Sequence, residues 1–125
     1  MNVLICDDSG FARKQLARAL PADWKVDLHY AANGLEGIEQ VLMGHGDLIF
    51  LDLTMPEMDG YEATALIRSG SVPGVNPNIP VVALTAHAMV GEDKKCLDAG
   101  MNDYLTKPLD RAKLIEVLGK YLQKA

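Results

Sequence analysis

Leu48-Ile49-Phe50-Leu51-Asp52-Leu53-Thr54-Met55-Pro56-Glu57-Met58-Asp59-Gly60 is the stretch that decides the fold. Its first four residues are large and apolar, do not alternate with polar ones, and end on a carboxylate. A strand with one wet face alternates apolar and polar residues. A strand covered on both faces reads as a near-continuous apolar run, the pattern of a parallel sheet between helices. Pro56 lacks the amide a strand interior needs, so Leu53 to Asp59 reads as a loop. Gly60 to Arg68 then fits a short helix. The order is strand, acid, loop, helix.

The same order recurs on both sides. Upstream, Val3-Leu4-Ile5-Cys6 stops abruptly at Asp7-Asp8, and Ser9 is an N-cap for a helix over Gly10 to Leu20 that Pro21 closes. Trp24 to Ala31 alternates (Val26, Leu28, Tyr30) as a strand does. Asn33-Gly34 opens a second helix with Leu35, Ile38, Val41 and Leu42 on one face, stopped by Gly44 and Gly46. Downstream, Ser69 to Pro80 is rich in turn signals and is by composition the least ordered stretch. Val81-Val82-Ala83-Leu84 is a fourth strand, followed by a helix with Lys94, Cys96 and Leu97 that ends at Gly100. Asp103-Tyr104-Leu105 is a brief fifth strand, and Asp110 caps a last helix carrying Leu114, Leu118 and Tyr121 on one side, with Ile115 and Leu122 beside them. Strand–helix units in this succession imply a parallel sheet with helices on both faces.

Bulk properties agree with one domain over residues 1–125. A chain of 125 residues buries roughly two-thirds of its unfolded surface and folds without staples. Hydrophobic residues at 49% and charged residues at 23% are a globular mix. A net charge of -5 argues against the nucleic-acid backbone as a partner, which requires a basic face. No apolar run approaches the roughly 18 residues that cross a bilayer, so no membrane role is expected. The N-terminus lacks the basic segment and apolar core of a signal peptide. Two cysteines build neither a disulfide framework nor a four-ligand zinc site. The expectation is a reduced, cytoplasmic protein.

In open α/β sheets, ligands bind outside the carboxyl ends of the strands. There this chain places Asp7 and Asp8 after the first strand, Asp52 after the third, Thr85 after the fourth, and Thr106 and Lys107 after the fifth. Carboxylates crowded within a few ångströms repel one another, and a proton or a cation must offset the cost. Hard oxygen donors in a small pocket favour Mg²⁺, which takes one or two carboxylates together with waters and a phosphate. Lys107 brings a compact positive charge suited to a phosphoryl oxygen, and Thr85 a hydroxyl. An ionised aspartate beside a metal is also a nucleophile able to become an acyl phosphate. Each element has a bland reading: an acid pair favoured by a helix N-terminus, an acid opening a loop, a strand-end threonine. The joint pattern is what carries specificity.

Asp7-Asp8, Asp52 within Leu-Ile-Phe-Leu-Asp-Leu-Thr-Met-Pro-Glu-Met-Asp-Gly, Leu84-Thr85-Ala86 and Lys107-Pro108 together resemble the signature of the bacterial response-regulator receiver domain, of the chemotaxis-regulator kind. The resemblance spans essentially the whole chain. It implies a flavodoxin-like (βα)5 sandwich with strand order 2-1-3-4-5. It implies that Asp52 accepts a phosphoryl group from the phosphohistidine of a sensor histidine kinase or histidine phosphotransfer protein. Asp8, Asp52 and the backbone carbonyl of Thr54 would bind Mg²⁺, and Asp7 would hold a metal-bound water. Lys107 would pair with the phosphoryl group, on a turn made by a cis peptide before Pro108. Thr85 would move toward the phosphoryl group and Tyr104 would be the switch aromatic that follows it. The chain would catalyse only its own phosphorylation and dephosphorylation. It carries no recognisable output segment, so it is read as free-standing or as part of a larger regulator or hybrid kinase.

Two other classes share parts of this pattern. A flavodoxin-type FMN carrier needs hydroxyls and amides in its first loop, where Asp7-Asp8 would repel the phosphate. An aspartyl phosphohydrolase needs a substrate-binding cap for which 125 residues leave no room. Among the remaining residues, His87 reads as a loop histidine near the rim, and His29 and His45 as surface residues without sequence partners. Cys6 is small core filling and Cys96 a partly exposed helix residue. Arg13, Lys14 and Arg18 form a solvated stripe on the first helix, the helix where histidine-containing partners dock in related proteins.

Overall fold

The structure is a computed structural model describing residues 2–20, 26–53, 58–85, 91–107 and 109–121. The elements alternate along the chain: β1 Asn2–Cys6, α1 Gly10–Ala19, β2 Asp27–Ala31, α2 Gly34–Leu42, β3 Leu48–Asp52, α3 Gly60–Arg68, β4 Val81–Thr85, α4 Glu92–Asp98, β5 Asp103–Thr106 and α5 Arg111–Tyr121. All strand pairs are parallel and the sheet order is β2-β1-β3-β4-β5, the order the family resemblance implies.

The continuous apolar runs serve two cores, because alternate residues of a strand point to opposite faces. Leu4, Cys6, Ile49, Leu51, Val81 and Ala83 face one side, against Ile38 and Val41 of α2, Ala63 and Ile67 of α3 and Cys96 of α4. Val3, Ile5, Leu48, Phe50, Val82 and Leu84 face the other, against Leu16 of α1 and Leu114, Val117 and Leu118 of α5. β3 and β4 are buried at every position, as strands covered on both faces must be.

Helix starts follow the expected chemistry. The Ser9 hydroxyl accepts from the Ala12 amide at 3.2 Å, and the Asn33 side chain from the Glu36 amide at 2.9 Å. Asp59 and Glu62 form a reciprocal capping box on α3. Asp110 accepts from the Ala112 amide at 2.9 Å. Gly44 (φ 82°) follows α2 and Gly100 (φ 100°) follows α4, where the left-handed backbone turns the chain out of the helix. α1 ends at Ala19 with Leu20 as its cap; Pro21 and the first part of the expected second strand lie outside the described residues.

Four expectations change. On α2, Ile38 and Val41 are buried but Leu35 and Leu42 are about half exposed, because the helix turns only a narrow face to the sheet. Cys96 is fully buried rather than partly exposed, under Tyr61 of α3. His29 and His45 are partners: their rings stack at 3.9 Å with 5° between planes. Asn2 Oδ1 sits 3.0 Å from His29 Nε2 and Gln40 Oε1 2.8 Å from His45 Nδ1. Residues 69–80, poor in order by composition, bury Val75 and Ile79 and are tied down through the Pro77 carbonyl.

Candidate functional site

Asp7, Asp8, Asp52, Thr85 and Lys107 all stand where a parallel strand ends or one or two residues beyond, so the fold brings them to one edge. One carboxylate oxygen each from Asp7, Asp8 and Asp52 lie within 4.8 Å of one another. Asp7 and Asp52 are buried and Asp8 is exposed. These are hard oxygen donors converging from two neighbouring strands, and they fit a small divalent cation.

Asp7 is held on every side. Its Oδ1 accepts from the Ser9 amide at 3.0 Å and its Oδ2 from Lys107 Nζ at 2.7 Å. Its own amide donates to the Ala31 carbonyl at 3.0 Å, joining the ends of β1 and β2. Its carbonyl accepts from Arg13 Nη1 at 2.6 Å, which ties α1 to the loop. Lys107 Nζ also lies 3.5 Å from Asp52 Oδ2. Burial alone would lower the Lys107 pKa. The hydrogen bond to Asp7 and the charges of Asp52 and Asp7 outweigh it and hold the ammonium above the ordinary lysine value. The cation therefore stays charged at neutral pH and offsets part of the carboxylate repulsion.

The β4–β5 edge completes the site. The Lys107 amide donates to the Thr85 carbonyl at 2.7 Å, fixing one strand end to the other. Thr85 is buried and pairs with Thr106, while Ala83 pairs with Tyr104. Paired residues of parallel strands project to the same face and residues two apart share a face, so Thr85 and Tyr104 are diagonal neighbours. Tyr104 is half-buried against the core that includes Ala83. Thr54, His87 and Pro108 lie outside the described residues, and with them the expected metal-binding carbonyl and cis peptide.

Several residues at the site carry a second duty that the sequence pattern did not reveal. Ser9 reads as a helix cap, yet its amide also holds Asp7. Arg13 reads as a solvated charge, yet it holds the Asp7 carbonyl. Gly34 and Gly60 each follow a good N-cap, where helix geometry does not call for glycine; that was the available signal of a close approach.

The profile of the response regulator receiver domain matches residues 3–119. The chain belongs to that family, the phosphoacceptor modules of two-component phosphorelays. It is 46% identical over 122 residues to hybrid signal transduction histidine kinase G of Dictyostelium discoideum, covering 97% of this chain and 4% of that protein. Its fold superimposes with a TM-score of 0.85 on a response regulator from Chloroflexus aurantiacus, at 27% identity over 97% of this chain and 96% of the other. The receiver domain of sensor histidine kinase PA1611 from Pseudomonas aeruginosa, with a magnesium ion in its active-site cleft, gives 0.81 at 32% identity over 96% and 95%. The chain spans between 4% and 13% of the length of the first curated relatives it matches. It is a signalling receiver domain rather than a classical enzyme. Among the described residues no helix is long and apolar enough to cross a membrane.

Proposed function

We propose that Asp52 is the phosphoacceptor of this receiver and that Mg²⁺ is its cofactor. The observation that carries the reading is the convergence of three carboxylates, with oxygens within 4.8 Å of one another, beside Lys107, which reaches both Asp7 and Asp52. In this reading Asp8 and Asp52, with the Thr54 carbonyl, would hold the metal, and Asp7 would support it from beside them. When bound, Mg²⁺ supplies positive charge to the phosphoryl oxygens and allows the anionic donor to approach the acids. The remaining work falls to the chain's own residues. The Asp52 carboxylate forms a P–O bond as the P–N bond of a donor phosphohistidine breaks, and the leaving imidazole takes up a proton. Lys107 neutralises charge on the transferring group. Attack of water on the same phosphorus later restores the carboxylate and releases inorganic phosphate, so both reactions act on the chain itself.

The new group brings roughly -1.5 to -2 charge and three acceptor oxygens. Thr85, whose hydroxyl is the nearby donor on β4, turns toward it. Tyr104, its diagonal neighbour, moves into the space vacated and changes the surface of α4, β5 and α5. The donor in this reading is a sensor histidine kinase or a histidine phosphotransfer protein, met in the cytoplasm and docking beside α1. Residues 1–125 are one receiver domain in this reading. Acetyl phosphate with Mg²⁺, followed by intact mass, tests the function: one phosphoryl group is gained with Mg²⁺ and none with a chelator. A gain that is indifferent to Mg²⁺ would contradict the reading.

A further inference from the structure

We propose that Gly34, the first residue of α2, is a positioning residue for the phosphoacceptor and metal site, acting through Met58. The inference rests on the reading of Asp52 above. The Gly34 amide donates to the Met58 carbonyl at 3.1 Å. A Cβ at position 34 would lie 2.5 Å from that same carbonyl oxygen and 2.8 Å from Met58 Cβ and Cγ. Separations so short are not tolerated, and a backbone carbonyl cannot swing aside as a side-chain tip can. Either α2 or Met58 must move.

The start of α2 is the better anchored of the two. Asn33 caps it, and the Glu36 carboxylate accepts from the Ala32 amide at 3.2 Å and from Asn33 Nδ2 at 3.3 Å. Met58 lies six positions after Asp52 and two before Gly60. The Gly60 amide donates to the Leu53 carbonyl at 3.3 Å, and a Cβ at Gly60 would stand 2.6 Å from the Asp52 carbonyl oxygen. The chain leaving Asp52 is thus pinned where it returns: Gly60 against Asp52 and Leu53, Met58 against Gly34. The Thr54 carbonyl, a metal ligand in the proposed function, falls between those pinned ends in sequence. A methyl group at position 34 pushes on Met58 and carries the displacement to the backbone of Asp52.

The test is Gly34→Ala compared with Gly46→Ala. The latter brings a Cβ within 3.1 Å of Val41 Cγ2 and so also stresses packing near α2, but beyond its carboxyl end, away from Met58. Calorimetric titration with Mg²⁺ alone, and phosphorylation by acetyl phosphate read by intact mass, are run on both variants and on the wild type. Gly34→Ala is expected to weaken Mg²⁺ binding and slow phosphorylation, each by about tenfold, as loss of outer-shell support does. Gly46→Ala keeps the wild-type values, whatever its melting temperature. A wild type that gains no phosphoryl group overturns the phosphoacceptor reading. A wild type that gains one, beside a Gly34→Ala variant equal to it or a Gly46→Ala variant equally impaired, overturns the inference alone. If Gly34→Ala fails to fold, the Gly34 amide resonance of the wild type replaces it. Bonded to Met58, that resonance is expected to shift on addition of Mg²⁺, and a stationary one overturns the inference.

Discussion

Lys107 Nζ lies 2.7 Å from Asp7 Oδ2, and this ion pair joins residues one hundred positions apart at the ends of β5 and β1. The same ammonium stands 3.5 Å from Asp52 Oδ2, so its charge is shared unequally between two buried acids. A phosphoryl group on Asp52 adds acceptors on the side where Lys107 is now less closely engaged.

That asymmetry gives a prediction with two signs. In Lys107→Met the cation is gone from between the acids, so Mg²⁺ meets more uncompensated negative charge and binds at least as tightly. Phosphorylation loses its charge partner and slows by about 10²-fold, the cost of removing one preorganised donor. Calorimetry with Mg²⁺ and intact mass over time with acetyl phosphate check both. Weakened Mg²⁺ binding with an unchanged phosphorylation rate would contradict the assignment.

Alkaline pH probes the contact between α3 and α4. Tyr61 Oη lies 3.4 Å from Glu92 Oε1 and 4.0 Å from Cys96 Sγ, with Lys95 Nζ 4.8 Å from its ring centre. Burial, then Cys96 and Glu92, raise the phenol above its ordinary 10.0. Burial above all raises the Cys96 thiol from its ordinary 9.0. Both groups keep their protons longer folded than unfolded. Their contribution is therefore whole below about pH 9 and is lost as pH climbs through the raised values. Urea unfolding followed upward from about pH 9 should show falling stability, and Tyr61→Phe should flatten the fall. An identical slope in the variant would count against the contact.

Arg68 is the structural counterpart at the opposite edge of the sheet. Its guanidinium donates to the Gly100 carbonyl, the Pro77 carbonyl and Asn102 Oδ1, each at 2.8 Å. One side chain thus fastens the end of α3 to the 69–80 connection and to the turn before β5. Arg68→Ala should cost about 2 kcal/mol by denaturant unfolding, since hydrogen bonds from charged donors are involved. Arg68→Lys should recover less than half, because an ammonium cannot reproduce the planar fork. Phosphorylation of both variants should stay at the wild-type level.

These residues show where the sequence was readable. The runs Val3–Cys6, Leu48–Leu51 and Val81–Leu84 announce strands buried on both faces, and each delivers an acid or a threonine to one edge. Helix starts such as Ser9 and Asn33 could be read because their cap partners lie three residues away. The stack of His29 on His45, the burial of Cys96 beneath Tyr61 and the reach of Arg68 to Asn102 depend on separations set by tertiary packing, which leave no periodic trace. Gly34 sits between the two cases: an unneeded glycine after a cap was visible, but its neighbour Met58 was not.

The most direct measurement of the central claim is the mass of Asp52→Asn after treatment with acetyl phosphate and Mg²⁺, beside the wild type under the same conditions. Asparagine keeps the size of the side chain and removes the nucleophilic carboxylate. The wild type is expected to gain one phosphoryl group and Asp52→Asn none. An equal gain in the variant would place the phosphoacceptor elsewhere and contradict the account.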